Sequence, residues 1–166
     1  MVLGALLLAA VAVPELEIVL TPAPARLSIQ LAVQGDLPEA WTQALGAGAP
    51  VTLTYRLKLF RNRRFLWDQR LASHELQVKA QRDAVTGTFA LVAELDGDIL
   101  ASGQAETLDQ AVHWVTHPPT ADINVPLQHE PLWLVARCEF MNRYKLLVFP
   151  STVGTAWVTR AVPEAP

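Results

Sequence analysis

Asp109, His113 and His117 stand at successive i, i+4 positions, so on a helix all three fall within roughly 80° of one another. A carboxylate and two imidazoles at that spacing can share a metal ion. An amphipathic helix puts polar residues on such a face in any case, and His117 immediately precedes Pro118 and Pro119. The trio is therefore kept as a candidate, and no metal is assigned. Asp68, His74 and Glu75 lie close enough in sequence for acid–base work, but on a strand His74 and Glu75 point to opposite faces and cannot serve one substrate atom. Ser73 has no glycine-framed turn of the kind that exposes a nucleophile. Cys138 alternates with Leu134, Ala136 and Phe140 and reads as a small core residue. The sequence has no phosphate-binding glycine loop and no paired-cysteine motif, so neither a catalytic residue nor a cofactor is assigned.

Charge is distributed unevenly. Of 13 Lys and Arg, eight lie between positions 56 and 82, opposed there only by Asp68 and Glu75. That segment is formally +6 and the remainder −9. Its centre is RNRR at 61–64, flanked by Phe60, Phe65 and Trp67. Guanidinium forks match the phosphates of nucleic acid or lipid, and aromatic rings beside them stack or enter an interface. Arg61, Arg63, Arg64, Phe65 and Trp67 are accordingly the candidate protein- or anionic-lipid-binding surface. The same residues would also suit a hairpin tip whose charges keep an edge strand soluble. Nucleic acid is not expected of a chain with a pI near 5.8.

The elements that must position these residues are mostly strands. Val51, Leu53, Tyr55, Leu57 and Leu59 share one face against Thr52, Thr54, Arg56 and Lys58, a segregation that no helix achieves. Period-two patterns recur at Leu27, Ile29, Leu31 and Val33; at Leu76, Val78 and Ala80; and at Phe89, Leu91, Ala93 and Leu95. They continue at Ile99, Ala101 and Gly103, at Ile123, Val125 and Leu127, and through 132–149, where Met141, Asn142 and Arg143 form either a turn or a bulge. Asp83 with Gly87, and Asp96 with Gly97, supply turn chemistry for antiparallel hairpins. Two segments have a helical period. In 37–45, Leu37, Ala40, Trp41, Ala44 and Leu45 form a stripe stopped by Gly46 and Gly48. In 107–117, Thr107 caps, Gln110 completes a capping box, and Leu108, Ala111, Val112 and Val115 face inward.

The predicted fold is mainly β: an antiparallel β-sandwich or partly closed barrel of seven to nine strands with two short helices. A chain that is 51% hydrophobic and 17% charged, with one Cys, has apolar surface enough for one domain and needs no disulfide or metal to fold. Residues 1–13 carry no ionisable side chain and as a helix would span about 20 Å, short of a roughly 30 Å hydrocarbon core. They match the apolar part of an export signal, or else an apolar first strand or helix packed on the domain. TPAPAR at 21–26 reads as a linker. The expected organisation is therefore a signal-like segment with a Pro-rich linker over 1–25, one sandwich domain over 26–162 and a tail over 163–166.

The order of features resembles the bacterial family DUF4390 over roughly residues 27–150. The resemblance is carried by Ala44, Leu45 and Gly48 to Pro50 at the end of the first helix, the Arg-rich turn ending in Trp67 and Asp68, the hairpin RDAVTGTF at 82–89, and the helix opened by Thr107, Leu108 and Asp109. The ending RYKLLVFP departs from the tryptophan-rich ending associated with that family. The resemblance implies an exported or membrane-anchored envelope protein and supplies no catalytic residues. The expectation is a non-enzymatic interaction or assembly module, periplasmic or envelope-associated. Its expected partner is another envelope protein or an anionic lipid surface. The alternatives are a carrier of a small apolar ligand or lipid in a sandwich cavity, and a hydrolase or metal enzyme.

Overall fold

The computed structural model describes residues 13–62, 68–125, 131–141 and 153–164. In chain order the elements are β1 (Glu15–Ala23), β2 (Arg26–Gln34), α1 (Glu39–Gly46), β3 (Val51–Arg61), β4 (Gln69–Arg82), β5 (Phe89–Leu95) and β6 (Asp98–Ala105). There follow α2 (Leu108–Thr116), β7 (Ala121–Asn124), β8 (Leu132–Met141), β9 (Val153–Gly154) and β10 (Val158–Ala161). All strand pairings are antiparallel. One sheet runs β1-β2-β7 and the larger one β10-β8-β3-β4-β5-β6, with β9 also on β8. Neither sheet closes on itself, which makes the molecule an open sandwich-like fold and not a barrel.

One apolar cluster joins the inward rows of both sheets to the helices. It takes Leu16 and Ile18 from β1, Ile29 and Leu31 from β2, Leu53, Leu57 and Leu59 from β3, and Leu134 and Ala136 from β8. Trp41 and Leu45 of α1 and Ala111 and Val115 of α2 complete it. The two helices form where the 3.6-residue stripe was expected. Thr107 Oγ1 accepts the Gln110 N–H at 3.2 Å, and Gln110 Oε1 reaches back to the Glu106 N–H at 3.0 Å, one residue before the cap itself. Asp83 Oδ1 accepts the Val85 and Thr86 N–H groups, and Gly87 takes φ +75°. Asp96 and Gly97 both have positive φ, the geometry of a tight hairpin turn.

Three expectations are corrected. Residues 15–23, read as part of the signal-like segment and linker, form β1, paired with β2 over its whole length. Leu16 and Ile18 of that strand are buried. Pro22 fits because β1 is an edge strand, where a missing N–H can face outward. Residues 1–12 lie outside the described residues. Ile99 does not share the face of Ala101: a register shift pairs Ile99 with Glu94 while Ala101 stays opposite Ala93, and Ile99 is exposed. Finally, the Arg-rich segment joins β3 and β4, which are interior strands of the large sheet, so protection of an edge does not explain its charge.

Tyr55 ties α2 to the sheet. Its hydroxyl donates to the Val115 carbonyl at 2.7 Å. That carbonyl would meet an N–H four residues on, but the residue there is Pro119, which has none. Burial, with the Cys138 thiol beside it, pushes the Tyr55 phenol well above its ordinary value and keeps it a donor. Burial likewise drives the Cys138 thiol far up. Tyr55→Phe is expected to cost about 1–3 kcal/mol in urea unfolding by leaving that carbonyl unpaired. Native Cys138 is expected to resist thiol reagents at pH 8 and to react once the chain is unfolded.

Candidate interaction surface

The outward row of the large sheet brings together side chains that are far apart in sequence. Arg56 of β3 stands opposite Glu75 of β4 on one side and Arg137 of β8 on the other. Two arginines directly across a strand pair repel each other. Glu139, two residues along β8, resolves this. Arg56 Nε lies 3.0 Å from Glu139 Oε2, Arg137 Nε donates to Oε1 at 2.7 Å, and Arg137 Nη2 makes a further short contact with the same oxygen. Arg56 Nη1 also donates to Glu75 Oε2 at 2.8 Å, and Gln77 Nε2 to Glu75 Oε1 at 2.5 Å. The Glu139 carboxylate is almost fully buried, with only 4% of its side chain accessible. Desolvation opposes its charge, but the hydrogen bonds and charges of Arg137 and Arg56 outweigh that and hold it below the usual carboxylate range.

Next to this network lies Trp157, 42% exposed. Lys58 Nζ sits 4.6 Å and the Arg137 guanidinium 4.9 Å from its ring centre, both in cation–π range. Trp157 is held there because its segment is laced to β8. The Thr155 N–H donates to the Cys138 carbonyl at 2.8 Å, and Thr155 Oγ1 accepts the Cys138 N–H at 3.0 Å. Towards the other end of the face, Phe60 is in register with Trp133 on one side and Arg70 on the other. Lys79 and Glu94 pair at 2.6 Å across β4 and β5.

Of the surface expected from the sequence, Arg61 is described and Arg63, Arg64, Phe65 and Trp67 lie outside the described residues. Arg61 Nη2 donates to Gln69 Oε1 at 2.5 Å on the last rung before that segment. His74 and Glu75 do face opposite sides of β4, opposite Leu57 and Arg56 respectively. The partner of His74 is one that the sequence reading missed. Its Nδ1 is 2.6 Å from Asp96 Oδ2 in the β5–β6 turn, while Asp96 Oδ1 accepts the Glu75 N–H. Asp109, His113 and His117 do not converge, and among the described residues no three such side chains gather at metal-binding spacing. Among the described residues no helix is long and apolar enough to cross a membrane.

A family model described as a domain of unknown function, DUF4390, matches residues 16–130. The chain belongs to this family. The DUF4390 match takes in β1 to β7 and both helices, while β8, β9 and β10 follow it. The outward face is thus shared, with Arg56, Lys58 and Glu75 inside the DUF4390 stretch and Arg137, Glu139 and Trp157 beyond it. No curated protein and no solved structure matches the chain.

The outward placement of Arg56, Lys58, Arg137 and Glu139 was readable from alternation. Their mutual pairing, across some 80 residues, was not. Glu139→Gln is expected to destabilise the protein by about 2 kcal/mol, at the low end for a broken buried pair because both guanidinium groups reach solvent. With the folded pKa depressed, the contribution of Glu139 is present above its unfolded value of about 4.3 and is lost as pH falls through the folded value. Acid unfolding of the wild type should therefore show a loss of stability below about pH 4 that the Gln variant lacks.

Proposed function

We propose that this DUF4390 protein is a non-catalytic interaction module of the bacterial envelope that presents the outward face of its large sheet, together with the adjoining Arg-rich segment, to an acidic surface of another envelope protein. One observation carries the reading: Trp157 is held half out of the sheet between Lys58 and Arg137, in the same outward face as Phe60, Trp133 and Arg70. Aromatic rings and arginines fixed by their neighbours are the residue types that dominate binding energy at protein interfaces, because little side-chain entropy remains to be lost. The network around Glu139 holds the arginines in place, and the local excess of positive charge in 56–82 favours an acidic partner even though the chain's own net charge is −3. The apolar residues 1–13 support export.

Site-specific photo-crosslinking in the native host tests this. Crosslinkers at Phe60, Trp133 and Trp157 are expected to capture the same envelope protein, and one at the exposed Val85 or Gln30 to capture none. Combining the crosslinker at Trp133 with Lys58→Ser, Arg61→Ser, Arg63→Ser and Arg64→Ser should abolish that adduct without changing circular dichroism. Equal capture from Val85, or an adduct indifferent to the charge changes, would remove the proposal.

A further inference from the structure

The exposed end of α2 offers chemistry that the sheet face does not use. His113 and His117 are both exposed, four residues apart, with ring centres 4.3 Å from each other and planes inclined by 23°. The structure also fixes which nitrogen of His117 carries its proton. His117 Nδ1 lies 3.0 Å from Thr116 Oγ1 and 3.2 Å from the His113 carbonyl oxygen. The carbonyl can only accept. The Thr116 hydroxyl hydrogen is committed to backbone carbonyls, those of Val112 at 2.8 Å and His113 at 3.0 Å, so towards His117 its oxygen is an acceptor as well. Two acceptors around Nδ1 place the proton there in the neutral ring and leave Nε2 as a bare lone pair facing solvent.

A backbone carbonyl that holds Nδ1–H and frees Nε2 is the arrangement found behind metal-bound histidines. From this we infer that His113 and His117 form a two-imidazole site for a borderline divalent transition ion, of which zinc(II) is the type, with water completing the coordination. Imidazole favours such ions over calcium or magnesium. His117 keeps its Nδ1 contacts, and the His113 ring turns about its soft Cβ–Cγ bond to bring its Nε2 to the same ion. The ion's charge would sit at a helix C-terminus, where the macrodipole favours a cation. Asp109 is not part of the site, since no third ligand gathers there among the described residues. His74 is not either, because Asp96 already engages its Nδ1 and its Nε2 is buried.

Calorimetric titration of the tag-free chain with zinc chloride at neutral pH tests the assignment. One saturable site per chain is expected, filling below about 1 mM metal and raising Tm as it fills. His113→Gln and His117→Gln should each weaken binding about tenfold or more, while Asp109→Asn and His74→Gln leave it unchanged. Absence of saturable binding, binding that survives His113→Gln, or binding lost in Asp109→Asn would overturn the two-imidazole site. Circular dichroism and unfolding of each variant separate loss of ligand from loss of fold.

Discussion

The large sheet depends on one buried carboxylate. The register of β3 with β8 sets Arg56 directly opposite Arg137, a like-charge pair that would by itself disfavour that register. Glu139 makes the register tenable by accepting from both guanidinium groups while staying almost inaccessible to water. A slip of one residue would carry Glu139 to the apolar face, among Leu53, Tyr55 and Leu57, where no donor could compensate its charge. Isolated buried ion pairs contribute little net stability, because desolvation consumes the Coulombic gain. Here the carboxylate satisfies both arginines only in the alignment in which the core row of β8 meets the core row of β3.

That alignment carries over to the end of the chain. With β8 fixed, the Cys138 backbone is presented to the 153–157 segment, and Thr155 takes both its N–H and its carbonyl. The approach is so close that a Cβ on Gly154 would collide with the Cys138 carbonyl oxygen, so the position suits the residue that has none. Trp157 then falls over Arg137, whose other contacts are with Glu139. The same guanidinium therefore serves the buried ion network and the exposed ring, and Arg56 and Arg137 are held from within the sheet by Glu139.

How far the sequence revealed this follows from the range of each interaction. Period-two patterns exposed most strands because one side chain in two must leave water, and the stripes of Trp41 with Leu45 and of Ala111 with Val115 exposed the helices for the same reason. β1 was obscured: its apolar Leu16 and Ile18 run on from an apolar start, and Pro22 looks like a break unless the strand is known to be an edge. Ile99 was misplaced because a bulge shifts the face without changing the spacing in sequence. The pairing of His74 with Asp96, and of Arg56 with Glu139, depends on which strands become neighbours. No local pattern encodes that.

Strand β4 also keeps two ionisable clusters apart. Glu75 belongs to the outward network with Arg56, while His74, the preceding residue, turns inward to Asp96. A sheet's thickness between them prevents a shared substrate atom, and the Glu139 carboxylate in the same outward network is held in its charged form by two arginines, which denies it a proton-transfer role near neutral pH. General acid–base work needs a group poised to titrate near working pH with a free valence towards solvent. Glu139 has neither. Its chemistry is spent on holding Arg137 beside Trp157, which fixes the charged groups of the outward row in place.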